Sequence, residues 1–129
     1  MFTKVVTPRF GDVDGLQHIN NTMLPVWFEL GRDPLFQYFH PGMLLNNWSL
    51  IMAHIDVDFI VPMQLGADVE IRTRVAKIGS TSFTVYQEAW QKGILCAKGH
   101  AVVVHYDFPN KTALPIPEEI RTKLKEHMA

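Results

Sequence analysis

One cysteine, Cys96, is all the chain has, which excludes an internal disulfide and any cysteine-built zinc cluster. Long apolar runs are missing too: 47% of the 129 residues are hydrophobic, yet no run approaches the ~18 residues that a membrane-crossing helix needs. The opening MFTKVVTPRF lacks the apolar core of a secretory signal, so a soluble, cytoplasmic protein is expected. An excess of charge is also absent. With 12 Lys and Arg against 13 Asp and Glu, the net charge of -1 steers the chain as a whole towards neither nucleic acid nor an anionic membrane. No repeat, low-complexity tract or linker interrupts the sequence, and residues 1–129 read as one domain with room for a real core.

Hydrophobic periodicity supplies the elements. A short strand is expected over Thr3 to Thr7, then a loop, then a helix with Leu24, Trp27, Phe28, Gly31, Leu35 and Phe39 on one face. Pro25 is tolerated only in a first turn, so the helix should start near Asn21 or Thr22 with one of them capping. Pro34 after Asp33 predicts a kink or restart, and HPG at 40–42 an end. From Ile51 to Val61 the odd positions are apolar, which predicts a strand with one buried face. Further strands follow at Val69 to Val75, Phe83 to Trp90 and Ile94 to Tyr106, and a short helix at Pro117 to Lys125. Strands joined by such short turns are antiparallel, and only one long helix is available to cover them. The fold class is therefore α+β, a curved antiparallel sheet wrapped around one long central α-helix. Its exposed edges predict edge-to-edge dimerisation.

The polar side chains gather in FGDVDGLQHINN, residues 10–21. A helix start collects unpaired N–H groups and the positive end of the helix dipole, and so favours an oxygen that carries or acquires negative charge. A carboxylate in a loop folded back on that start sets an activator of water beside an electrophilic hole. Asp12 and Asp14 are both candidates, since an unperturbed aspartate, with a pKa of about 3.9, is ionised at neutral pH. His18 is in reach to orient the acid or a leaving group. Plainer readings exist for the same residues: DVDG makes ordinary turns, and Asn20 and Asn21 are good caps. Asp12, Asp14 and His18 also have the atoms to ligate a divalent metal, but no second acid or histidine pair at ligand spacing accompanies them, and no metal is expected. A calcium loop is set aside because Leu16 and Met23 stand at ligand positions. His54, His100 and His105 fall on strands, as surface or edge residues.

RFGDVDGLQHINN at 9–21, DFIVPMQLGADVEIRTRVAKIGSTSF at 58–83 and PIPEEIR at 115–121 together resemble the hotdog-fold thioesterases, in particular the 4-hydroxybenzoyl-CoA thioesterase-like acyl-CoA thioesterases. Their segment ahead of the central helix follows R-F/Y-x-D-x-D-x-x-x-H-V-N-N. The resemblance implies a hotdog fold that hydrolyses a fatty or aromatic acyl thioester to acid and thiol, with coenzyme A as part of the substrate and no other cofactor. It implies that Asp14 is the base or nucleophile and that the helix-start amide matching Asn21 polarises the thioester carbonyl. His18 and Asn20 then shape the loop and meet substrate, while Asp12 is structural. Glu29 and Arg32 match the helix's E-x-x-R ending, a buried or interfacial ion pair. The family assembles its sites at a dimer interface, so a homodimer or homotetramer acting on a CoA or carrier-protein thioester is expected.

On this reading Met23, Leu24, Trp27 and Met52 are candidates to line the acyl space, and Arg72, Arg74, Lys77 and Lys98 to meet CoA phosphates. Plain core packing and a solvated strand face explain these residues equally well. Two features depart from the family pattern: Leu16 stands where related plant carrier-protein thioesterases have asparagine, and Leu24–Pro25 replaces an aromatic and aliphatic pair. The rivals are a non-catalytic acyl-thioester binding module and a hotdog dehydratase or hydratase. The hydratase signature has four residues between Asp and His, where Asp14 and His18 are separated by three.

Overall fold

Alternating side chains and short turns bring the strands into one sheet. In a computed structural model describing residues 1–128, β1 (Phe2–Val6) leads through a 3-10 turn (Phe10–Asp12) and the polar loop into α1 (Met23–Phe39). Then come β2 (Leu50–Phe59), β3 (Val69–Ile78), β4 (Ser82–Gln91), β5 (Ile94–Asp107), the two-residue β6 (Thr112–Ala113) and α2 (Glu118–Lys125). Every strand pairing is antiparallel, in the order β1-β3-β4-β5-β2 with β6 on β5. The sheet curves as a half-barrel around α1, as the sequence predicts. No helix among the described residues is long and apolar enough to cross a membrane.

α1 lays Leu24, Trp27, Phe28, Gly31 and Leu35 on the sheet at the predicted spacing. Burying side chains such as Trp27 and Phe28 stabilises the fold by about 1.5–3 kcal/mol each. Helix and sheet approach closely at Gly31, where a Cβ would stand 2.8 Å from Gln87 Nε2 and Ile71 Cγ2 and 2.9 Å from Thr73 Oγ1. A polar belt surrounds that crossing. Gln87 Nε2 donates to the Phe28 carbonyl (2.7 Å) and Thr73 Oγ1 (3.0 Å), while its Oε1 accepts from Arg32 Nη1 (3.1 Å). On either side lie two apolar clusters, one around Ile19, Leu24, Trp27 and Met63, the other around Leu35, Phe83, Val103 and Leu124.

Four expectations are corrected by this arrangement. Thr22 takes the N-cap position of α1 as expected, but neither it nor Asn21 makes a side-chain cap bond; Asn20 Oδ1 instead accepts from the Thr22 N–H and hydroxyl, both at 3.0 Å. Pro34 brings no restart, because α1 continues through it and Asp33 caps nothing; the bond it deletes leaves the carbonyl of Leu30, an exposed residue with water at hand. Glu29 and Arg32 form no ion pair: Glu29 is exposed, whereas Arg32 is buried against Gln87, and that burial pushes its pKa down.

The fourth correction concerns β2, which does not keep one face at odd positions. Its register slips between Met52 and His54, a bulge that moves the inward set from even to odd residues. Met52 opposes Val103 before the bulge, and Ile55 and Phe59 oppose Ala101 and Ala97 after it. Ile51 is thereby turned outward with His54, Asp56 and Asp58. β2 is also an edge strand with little cover: Met52, Ile55 and Phe59 are 40, 49 and 56% exposed although they face inward.

Candidate active site

Two carboxylates fold the loop ahead of α1, each in its own way. Asp12 is only 2% exposed, and Arg9 donates to it from Nη2 (3.0 Å) and from its backbone N–H (2.8 Å). These bonds hold the Asp12 carboxyl below its usual range. Asp14 is half-buried, and its Oδ1 accepts from the Leu16 N–H (2.8 Å) and the His18 N–H (3.2 Å), a side-chain turn that tightens the loop. Its Oδ2 has no partner among the described residues. The Asp14 N–H donates to the His18 carbonyl (2.8 Å), and Gln17 takes a left-handed φ of 66° between them. With Asp12 tied to Arg9, it is not free to join Asp14 and His18 around a metal ion.

The peptide N–H groups at the helix start can be followed one by one. His18 donates to Asp14, Ile19 to the Met63 carbonyl, Asn20 to the Asp12 carbonyl, Thr22 to Asn20 Oδ1, Met23 to the Asn20 carbonyl and Leu24 to the Asn21 carbonyl. Only the Asn21 N–H in that run has no partner among the described residues. A cavity of about 620 Å³ opens beside it, lined by Asp14, His18, Ile19, Asn20, Asn21 and Leu24. Phe59, Ile60, Val61, Pro62, Met63 and Cys96 form its other wall. A carboxylate oxygen and an unpaired N–H beside a space with one polar and one mainly apolar wall suit a polarised carbonyl with an apolar body.

Other expected residues are dispersed. Leu24 lines the cavity, but Trp27 is buried in the core and Met23 packs half-buried against it. Met52 lies at the other end of β2 from Phe59. Arg72 and Arg74 point outward from β3, the first over Trp90 (4.3 Å) and bonded to Glu70 (2.6 Å), the second over Tyr86 (4.7 Å). Lys98 opposes Asp58 on that outer face, and Lys77 is exposed beyond a bulge in β3. None of the four basic residues lines the cavity. Conversely, the wall from Phe59 to Met63 was part of the stretch that carries the family resemblance but was not assigned to the site, and the buried Cys96, whose thiol pKa is raised by burial, carried no site signal beyond hydrophobicity.

A curved antiparallel sheet wrapped around one long helix, with a cavity at the helix start, is the architecture of the hotdog-type thioester hydrolases. The chain belongs to the thioesterase-like superfamily, whose model matches residues 8–124, from the polar loop through α1 and β2–β6 into α2. It is 44% identical to a predicted thioesterase from Bacillus stearothermophilus, over 99% of this chain and 96% of that one, with a TM-score of 0.96. A thioesterase from Thermus thermophilus, solved with coenzyme A and zinc, is 30% identical over 95% of this chain and 96% of that one, with a TM-score of 0.84. A gentisyl-coenzyme A thioesterase shares the fold, at 21% identity and a TM-score of 0.80 over 95% of this chain and 99% of that one. No match is found among curated proteins.

Proposed function

We propose that this chain is a cytoplasmic acyl-CoA thioesterase working as a homodimer, with Asp14 as general base or nucleophile and the start of α1 polarising the substrate carbonyl. The observation that carries the reading is the meeting of Asp14 and the unpartnered Asn21 N–H at one cavity. The thioester oxygen accepts from the Asn21 N–H. Asp14 Oδ2 takes a proton from water as the water oxygen bonds the carbonyl carbon, and the resulting oxyanion faces the positive end of α1. Collapse breaks the C–S bond, and the departing thiolate takes the proton back from Asp14, leaving acid and free thiol. In the nucleophilic variant, Asp14 bonds the carbon first, the thiolate leaves, and water cleaves the anhydride.

Leu24, Met63 and Cys96 offer the acyl group an apolar wall. The bound coenzyme A of the Thermus relative supports CoA as the thiol. A second copy is assigned to the open flank of β2, where Met52, Ile55 and Phe59 lack cover. Arg72, Arg74, Lys77 and Lys98 stand outside this protomer's cavity, so any phosphate they meet belongs to the part of the thiol that extends beyond it. A panel of aliphatic and aromatic acyl-CoAs, followed by thiol release, tests the reading. Turnover of at least one class is expected; tight binding without thiol release across the panel makes the protein a binding module instead.

A further inference from the structure

The loop that carries Asp14 is held from behind by a side chain outside the cavity. Gln91 ends β4 on the inner face and is 7% exposed. Its Oε1 accepts from the Gln64 N–H (2.9 Å), and its Nε2 donates to the carbonyls of Gln64 (2.7 Å) and Ala67 (3.0 Å). One buried amide thus satisfies three backbone groups of the β2–β3 turn. That turn in turn holds the loop: Gln64 pairs with His18, and the Met63 carbonyl accepts from the Ile19 N–H (2.7 Å). His18 and Ile19 bracket Asp14, through the Asp14 N–H bond to the His18 carbonyl and the pairing of Val13 with Ile19. The linkage from sheet to carboxylate runs Gln91, Gln64, His18, Asp14.

We propose that Gln91 is a positioning residue for the reaction, fixing through the 63–67 turn where Asp14 stands relative to the start of α1; the inference rests on the thioesterase reading above. Glutamine is the side chain this place requires. An ionised glutamate would set its charge against two carbonyl oxygens, and a leucine would leave all three backbone groups without partners. The turn would then open towards water and release His18. A displacement of ~1 Å at the reacting groups is enough to lower the rate by about a hundredfold.

Gln91→Leu and Gln91→Glu, assayed well below their melting temperatures, test this. In Gln91→Leu, kcat is expected to fall by about tenfold to a hundredfold with KM within about twofold of the parent. Amide exchange at Ile19 and Asn20 should accelerate while that at Val85 and Val103, deep in the sheet, stays unchanged. Gln91→Glu adds a signature that a purely structural role does not produce. Once protonated, its O–H donates to the Gln64 carbonyl and its other oxygen accepts from the Gln64 N–H, so its rate relative to the parent recovers as pH falls from about 8 to 6. If Gln91→Leu does not fold, that pH ratio reads the same linkage. Unchanged exchange at Ile19, or parent-like kcat in both variants, overturns the proposal. A parent that releases no thiol overturns the thioesterase reading instead, and exchange alone then decides whether Gln91 holds the loop.

Discussion

Asp14→Asn separates chemistry from folding because of how the carboxylate is bonded. Its Oδ1 accepts both loop bonds, from Leu16 and His18, and asparagine keeps an oxygen for them. The amide nitrogen replaces Oδ2, the oxygen that has no partner, and it cannot accept a proton. A positioned general base contributes about 10²–10⁴-fold, so the barrier should rise by about 3–5 kcal/mol while stability changes by no more than about 0.5 kcal/mol. Asp12→Asn should behave in the opposite way: it loses the charge that binds Arg9, melts at lower temperature, and keeps its kcat per folded molecule. The assay is thiol release at saturating acyl-CoA, paired with a thermal melt of each variant at one protein concentration. An Asp14→Asn enzyme within about threefold of the parent would refute the role given to that oxygen.

Gly31→Ala sets a helix-propensity gain of about 1 kcal/mol against overpacking of about 1–3 kcal/mol and loss of the Gln87 bonds beneath it. A lower urea midpoint with an unchanged slope is expected, and an unchanged or higher midpoint contradicts the close crossing. Ile55→Lys puts a charge on the uncovered inner flank of β2 and should shift the proposed dimer to monomer in sedimentation; a persisting dimer excludes that flank as the interface. His40 Nε2 accepts from the Ser49 N–H (3.0 Å), and burial, then His105, lower the pKa of His40. The folded state therefore resists protonation, and its stability, full above about pH 6.5, declines as pH falls towards the lowered folded value. His127 shifts in the same direction, so His40→Gln should reduce the slope of melting temperature against pH below about 6.5 without abolishing it. An unchanged slope removes His40 from the account.

The strands and the central helix were legible because burial imposes a period, and the period survives in Leu24, Trp27, Phe28 and Leu35 and in the alternation of β3 and β4. Where one residue is inserted, the period misleads. The bulge after Met52 reverses the pleat, so Ile51 and Ile55, both odd, end on opposite faces. Buried polar contacts were illegible for another reason. Arg32 has a nearby sequence neighbour of opposite charge, Glu29, but its partner, Gln87, lies 55 residues away and becomes adjacent only when helix and sheet meet. At the site, residue types alone left Asp12 and Asp14 equivalent, and only the family resemblance at 9–21 gave Asp12 the structural place; how that carboxylate is tied down, by the Arg9 side chain and backbone N–H, became visible in the fold.

The polar belt at the helix–sheet crossing separates what the site needs from what the fold needs. Before it, Leu24, Ile19, Met63 and Cys96 belong to the core and the cavity wall at once, so a volume change there alters packing and substrate space together. Beyond it, Leu35 packs with Phe83, Val103 and Leu124, and none of these borders the cavity. Leu24 and Leu35 are eleven residues apart along the helix, about 16 Å. Effects at that separation add rather than couple. Arg32 and Gln87 sit between the two halves without bonding to the loop, which takes its own support from Gln91 at the far end of the same strand. Two buried glutamines four residues apart on β4 therefore divide the work: Gln87 ties the helix to the sheet, and Gln91 ties the loop to the sheet.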